Sequence, residues 1–301
     1  MSFRISQYLN YNDKSSKTED SFFKDKSEEE LKHLFTDILH NGVHGLCFSL
    51  YEAHQKPGDI ITEEQIRRRI EIIKPYTKWV RSFSCIEGNE LIPKIAKEYG
   101  LKTLVGAWLG NEKDKNQEEM DALIQLYNDG FVDIASVGNE VLYREDLTED
   151  ELLENIQYVK DAIPNCSVGY VDAYYEFVMR PKITEICDVI LCNCYPFWEG
   201  TPGEFSLNHL KDMFQQCKNV AGNKKVIISE TGWPTAGETI GGSVPSLLQS
   251  EKYFIGSQLW GADENVEIFY FSTFDEAWKV GPEGEVGAHW GIWDENEKLK
   301  F

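Results

Sequence analysis

Three carboxylic acids stand where strand-like runs give way to loops. Glu140 closes Val137-Gly138-Asn139-Glu140, Glu230 closes Ile227-Ile228-Ser229-Glu230, and Glu276 follows Phe271-Ser272-Thr273-Phe274-Asp275. Most other acids fall on helical or turn segments and read as solvated surface; Asp172, beyond a fifth run, is the main exception. Glu140 and Glu230 lie 90 residues apart. Two carboxyls converging over one site supply the chemistry of glycosidic cleavage. One, kept protonated, donates to the leaving oxygen; the other stabilises or attacks the oxocarbenium-like centre. A separation of about 5–5.5 Å makes such a pair retaining and about 6.5–9.5 Å inverting. Sequence spacing leaves both open.

Aromatic residues gather at the same run ends. Tyr195, Phe197 and Trp198 follow the sixth run, Trp233 follows Glu230, Tyr51 follows the first run, and Trp108 and Trp278 sit at others. Rings stack on the flat C–H faces of sugars, although each ring taken singly is more often packing. Trp290 and Trp293 read as packing of the C-terminal tail. Other chemistries lack their motifs: there is no G-x-S-x-G, no G-x-x-x-x-G-K-[ST], no G-x-G-x-x-G and no H-E-x-x-H. The six histidines form no ligand pair at helical spacing. The seven cysteines are scattered through apolar runs and read as reduced thiols, and Cys192 and Cys194 have no second cluster to complete a zinc site. Neither a metal nor a cofactor is expected.

The elements that must position these groups alternate regularly. Short β-rich runs span 43–50, 79–83, 103–108, 132–137, 167–171, 189–194, 225–228 and 266–272, with amphipathic helical segments between them. Thr62-Glu63-Glu64-Gln65 and Thr148-Glu149-Asp150-Glu151 are capping boxes, and Gly100, Gly130 and Gly222 stand where helices end. Eight strand–helix units suit a doubly wound sheet or a closed (β/α)8 barrel. Residues 43–301 number 259, near the ~250 typical of the barrel, and no Gly-rich phosphate turn follows the first run. The expectation is one α/β domain, a (β/α)8 TIM barrel over 43–301. Residues 1–42 form a short helical extension in which Ser27 and Glu30 cap Leu31, Leu34, Phe35 and Ile38.

With 51 acidic and 30 basic side chains, the net charge of -21 disfavours phosphate-rich partners, both nucleic acid and anionic membrane. No run approaches the ~18 apolar residues of a membrane span. The first twenty residues lack an apolar leader, which gives a cytoplasmic location as the expectation.

Four segments together resemble glycoside hydrolase family 17, its bacterial branch more than the plant glucanases. They are Val137-Gly138-Asn139-Glu140, Asn193-Cys194-Tyr195-Pro196-Phe197-Trp198, Ser229-Glu230-Thr231-Gly232-Trp233-Pro234 and Phe274-Asp275-Glu276-Ala277-Trp278-Lys279. The resemblance runs from about Gly42 to the C-terminus. It implies a retaining enzyme acting on β-1,3-glucan, with Glu140 matching the acid/base and Glu230 the nucleophile. It further implies that Glu276 and Lys279 flank the nucleophile, that Asn139 holds the sugar 2-hydroxyl and that Tyr195 lies beside Glu230. Tyr51, Phe197, Trp198, Trp233 and Asp172 complete the expected substrate-binding set. A chain without a leader would meet short laminari-oligosaccharides, so exo-type cleavage is expected, with loops 198–205 and 235–244 covering part of the mouth. Endo cleavage, glucanosyl transfer and a non-catalytic glucan-binding barrel are the alternatives.

Overall fold

The computed structural model describes residues 21–301. Eight parallel strands close into a barrel in sequence order: β1 (Val43–Cys47), β2 (Thr77–Ser82), β3 (Lys102–Ala107), β4 (Ile134–Asn139), β5 (Ser167–Ala173), β6 (Val189–Asn193), β7 (Lys225–Thr231) and β8 (Ile268–Tyr270). β8 pairs back onto β1 through Gly45↔Phe269 and Leu46↔Tyr270. Gly45 is required there, because a Cβ would stand 2.4 Å from the Phe269 ring. Each expected run contains or overlaps its strand, and consecutive buried residues mark strands covered on both faces.

The outer layer comprises α1 (Glu28–Asn41), α2 (Glu63–Ile73), α3 (Leu91–Glu98), α4 (Lys113–Asn128), α5 (Glu149–Ala162), α6 (Tyr174–Met179), α7 (Pro181–Ile186), α8 (Ser206–Val220) and α9 (Leu247–Glu264). After β8 the chain makes only short helical turns, among them α10 (Val280–Glu283). The place of a long eighth helix is taken by α1, which packs beside α9. Its start is fixed by the Ser27/Glu30 capping box, and Leu31, Phe35 and Leu39 line its buried face. Phe35 lies between Phe254 of α9 and the C-terminal Phe301, ring centroids 4.6 and 4.5 Å away. Among the described residues no helix is long and apolar enough to cross a membrane.

Candidate active site

The C-terminal ends of the strands bring five polar side chains together: Arg81 from β2, Asn139 at the end of β4 with Glu140 directly after it, Asn193 from β6 and, from β7, Glu230. Gly138 (φ 85°) and Glu140 (φ 54°) take left-handed backbone, and the β4–β5 register shifts between Ser136 and Asn139. For a glutamate that conformation costs about 1–3 kcal/mol. It is held by Glu140 N donating to Val171 O at 2.7 Å and by Arg144 N donating to Glu140 O at 2.8 Å. The turn aims the Glu140 carboxyl at the barrel axis, where Asn193 Nδ2 donates to its Oε1 at 2.8 Å. The same amide donates to Glu230 Oε1 at 3.1 Å, and Ser229 Oγ fixes its orientation through Asn193 Oδ1 at 2.8 Å. Laid end to end, the two Asn193 bonds cap the distance between the two bonded oxygens at about 6 Å, a closeness that suits a retaining pair.

The two acids have different surroundings. Glu230 receives Arg81 Nη1 at 2.8 Å on Oε1 and the Tyr195 hydroxyl at 2.8 Å on Oε2. Arg81 also donates to Asn139 Oδ1 at 2.8 Å, and its guanidinium lies 4.1 Å over the Phe83 ring. Burial is the largest single effect and opposes that charge, but Glu230 and Cys47 together outweigh it and hold Arg81 above its ordinary range. Burial, and then Glu230, push the Tyr195 hydroxyl well up, so it stays a donor. Around Glu140 the balance is reversed. Burial first, then Glu230 and Asp172, raise its carboxyl to about 8, against smaller opposing effects of Asn193 and Arg144. The pair therefore sets a carboxyl held toward its protonated form, Glu140, beside one ringed by hydrogen-bond donors, Glu230, an asymmetry that suits an acid/base–nucleophile pair.

Beside this centre Lys279 Nζ meets Glu276 Oε2 at 2.6 Å, and Glu276 Oε1 accepts from Tyr51 N at 3.2 Å. Burial works against the ammonium, yet Glu276 and Glu283 hold Lys279 raised and charged. The half-buried Tyr51 ring meets Trp278 edge-on at 5.7 Å. Trp108 is 38% exposed, with the Arg144 guanidinium 4.5 Å over its ring.

Three expected contacts require correction. Asp172 is wholly enclosed: it accepts from the Tyr170 hydroxyl, from Ala173 N at 2.7 Å and from Tyr143 N at 3.3 Å. Its carboxyl presents no face to a ligand and acts on Glu140 through charge, not on a sugar. Phe197 and Trp233 are both fully buried, 5.2 Å apart edge-on, and the Trp233 indole donates to Val244 O at 3.1 Å. Neither ring has a free face on which a sugar could stack. Trp198 and Tyr195 are buried too, though Tyr195 reaches the centre through its hydroxyl. Trp290 lies at the heart of this packing, with Tyr195, Phe197, Trp198 and Phe271 within 5.4–5.8 Å.

Two residues of the centre carried no assigned role in the sequence. Arg81 left a signal, a cation inside the apolar second run; Asn193 stood in a family motif with nothing to separate it from its neighbours. The rim loops 198–205 and 235–244 are joined: Gly242 N donates to Gly200 O at 2.8 Å and Ser243 Oγ to Thr201 O at 2.7 Å. A Cβ on Gly242 would stand 2.7 Å from Pro202, so the contact needs glycine. All seven cysteines are buried free thiols, and among the described residues no three His, Cys, Asp or Glu side chains converge as a metal site.

Residues 45–291 match the model of the BtgE/BtgC glycoside hydrolase domain. A glucan 1,3-beta-glucosidase of Saccharomyces cerevisiae is 27% identical over 298 residues, covering 89% of this chain and 93% of that one. BGL2, a glucan 1,3-beta-glucosidase of Candida albicans, is 27% identical over 262 residues, 77% of this chain and 83% of its own. Among solved structures, a glycoside hydrolase family 17 beta-1,3-glucanosyltransferase from Rhizomucor miehei superposes with a TM-score of 0.77 at 28% identity, covering 87% of this chain and 96% of that one. An endo-laminarinase from Formosa shares the fold, with a TM-score of 0.73 at 16% identity over 88% of this chain and 86% of its own.

Proposed function

The chain belongs to the BtgE/BtgC glycoside hydrolase domain family, and from that premise we propose that it cleaves β-1,3-glucosidic bonds with retention, Glu140 serving as acid/base and Glu230 as nucleophile. The observation that carries this reading is the single Asn193 amide that bonds an oxygen of each carboxyl. That bridge holds the two bonded oxygens at a closeness that suits a retaining pair. In the first step a Glu230 oxygen bonds to the anomeric carbon as the glycosidic bond breaks, and the Glu140 proton passes to the leaving oxygen. In the second, water gives a proton to Glu140 while its oxygen displaces Glu230. Asn139, Tyr195, Glu276, Lys279 and Tyr51 are the residues assigned to the sugar in the reacting position.

The substrate read here is a short laminari-oligosaccharide cleaved from one end. Support comes from the names of the yeast relatives and from an active-site mutant of the Rhizomucor miehei enzyme described with laminaritriose. The joined loops 198–205 and 235–244 are suited to covering one end of the cleft. Transfer to a second sugar is the competing fate of the glycosyl intermediate, favoured by the name and likeness of the Rhizomucor miehei glucanosyltransferase. Proton NMR of the first anomer released from laminaritriose tests mechanism and cleavage point together. A β-anomer is expected; an α-anomer overturns the retaining assignment. Products longer than the donor at high donor concentration would identify transfer as the main reaction.

A further inference from the structure

Beside the reacting centre, the wall of the cleft formed by the loops after β2 and β3 keeps its rings exposed. Glu119 on α4 is buried, whereas its neighbours Asp114, Glu118 and Asp121 face solvent. Its Oε1 accepts from Ser84 Oγ at 2.5 Å, and its Oε2 from Cys85 N at 2.8 Å. The backbone amide of Trp108 stands near enough to the same carboxyl to favour its charged form. Ser84 and Cys85 directly follow Phe83 in the loop after β2, and Trp108 begins the loop after β3. The carboxylate thus bonds the first loop and faces the start of the second, each carrying a ring at the mouth. One turn earlier on the same helix, buried Asn116 adds a second hold: Gly110 N donates to its Oδ1 at 2.8 Å, and its Nδ2 donates to Gly110 O at 2.7 Å.

We propose that Glu119 is a positioning residue for glucan binding, its carboxylate setting the spacing of the Phe83 and Trp108 rings along the open wall of the cleft. The inference rests on the glucan-cleaving reading above. Packing alone gives no reason for an acid here. Burial pushes the Glu119 carboxyl up to about 7, so its charge is held at a cost an apolar side chain would not carry. What the acid supplies is acceptor capacity for donors on two separate loops. Both rings also connect to the reacting centre. Phe83 lies under the Arg81 guanidinium that grips Glu230, and Trp108 under the Arg144 guanidinium that bonds the Asn139 carbonyl. A shift of either loop therefore withdraws a ring from a chain lying along the wall, a loss of uniform binding that raises KM and leaves kcat nearly unchanged.

The test measures kcat and KM separately for laminaribiose through laminarihexaose with wild type, Glu119→Gln and Ser84→Ala. In Glu119→Gln the amide turns a donor toward one of the loop donors, so one hold is lost with little change in volume. The expected result is a KM ratio to wild type that grows with chain length, from about twofold to about tenfold, while kcat stays within about twofold. Ser84→Ala removes a single bond and should give the same trend at about threefold. A loss independent of chain length, a fall confined to kcat, or no change in either constant overturns the proposal. Should Glu119→Gln not accumulate as folded protein, the Ser84→Ala series decides by the same criteria. If wild type cleaves no laminari-oligosaccharide, the functional reading fails, and acrylamide quenching of Trp108 judges the positioning independently. A Trp108→Phe background isolates that signal. Greater quenching in Glu119→Gln upholds the role, and unchanged quenching overturns it.

Discussion

The two walls of the barrel mouth are built from similar residues and do different things with them. On the wall formed by β6, β7 and the segment after β8, Tyr195, Phe197, Trp198 and Phe271 close around Trp290, Trp233 packs on Phe197 and Tyr253, and no ring is left free. On the wall formed by β1, β2 and β3, Tyr51, Phe83 and Trp108 keep part of each ring exposed, with Trp278 beside them. The first wall uses its aromatics as scaffold and reaches the chemistry through polar tips, the Tyr195 hydroxyl and the Asn193 amide. The second uses polar groups beneath, Glu119 and Asn116, to present aromatics above. An aromatic at a strand end is therefore not evidence of a sugar platform until its faces are located.

The contrast can be broken by substitution, most severely at the reacting pair where the walls meet. Glu230→Ala should abolish the glycosyl-enzyme intermediate and lower kcat by about 10⁴-fold or more. Glu140→Ala should slow natural oligosaccharides by about 10²–10⁴-fold, and activated aryl glucosides far less; equal losses on both would reject its role as the acid. On the packed wall, Trp290→Ala should cost about 3–5 kcal/mol of stability, read as a lower midpoint in urea. A stable variant with raised KM would make that wall a binding surface after all. Asn193→Ala should lower kcat by about 10²-fold, because it removes the one donor shared by both acids. On the open wall, Trp108→Ala should change stability by no more than about 1 kcal/mol while KM for longer oligosaccharides rises about fivefold.

The smallest effect concerns pH. Because Glu140 is raised to about 8, activity on natural substrates should decline as pH rises through that value, as its proton is lost. The same group binds protons more tightly folded than unfolded. Its contribution to stability is therefore full below the ordinary glutamate range and is lost as pH climbs from there to about 8. Glu140→Gln should flatten this part of the stability profile; an unaltered profile would exclude Glu140 as its source.

The strands were legible because a buried parallel strand tends to be apolar on consecutive residues, and several of the runs carried that mark. Glu140, Glu230 and Glu276 stood out by type and strand-end position, whereas Lys279 was picked out only by the family resemblance. Arg81 was readable in principle, since a cation inside an apolar run needs a partner. Asn193 was not: an amide at a strand end shows nothing of the two acids it bridges, which lie 53 and 37 residues away in sequence. Phe197 is covered by Trp290, and Trp233 by Phe197 and Tyr253. Whether a ring faces solvent or another ring depends on a segment far along the chain, folded back onto the rim. Glu119 lay hidden among a helix's solvated acids, because its partners belong to two different loops.

The outer ring of helices is completed by α1, which precedes every strand it helps to cover. Its contacts are with α9 and Phe301, more than 200 residues later in the chain. During synthesis this helix emerges before every strand of the barrel and can dock only once α9 has followed. Until then Leu31, Phe35 and Leu39 have no permanent cover. Closure of the barrel and docking of α1 thus become one late, long-range event in folding, the step at which an incomplete chain is most open to aggregation.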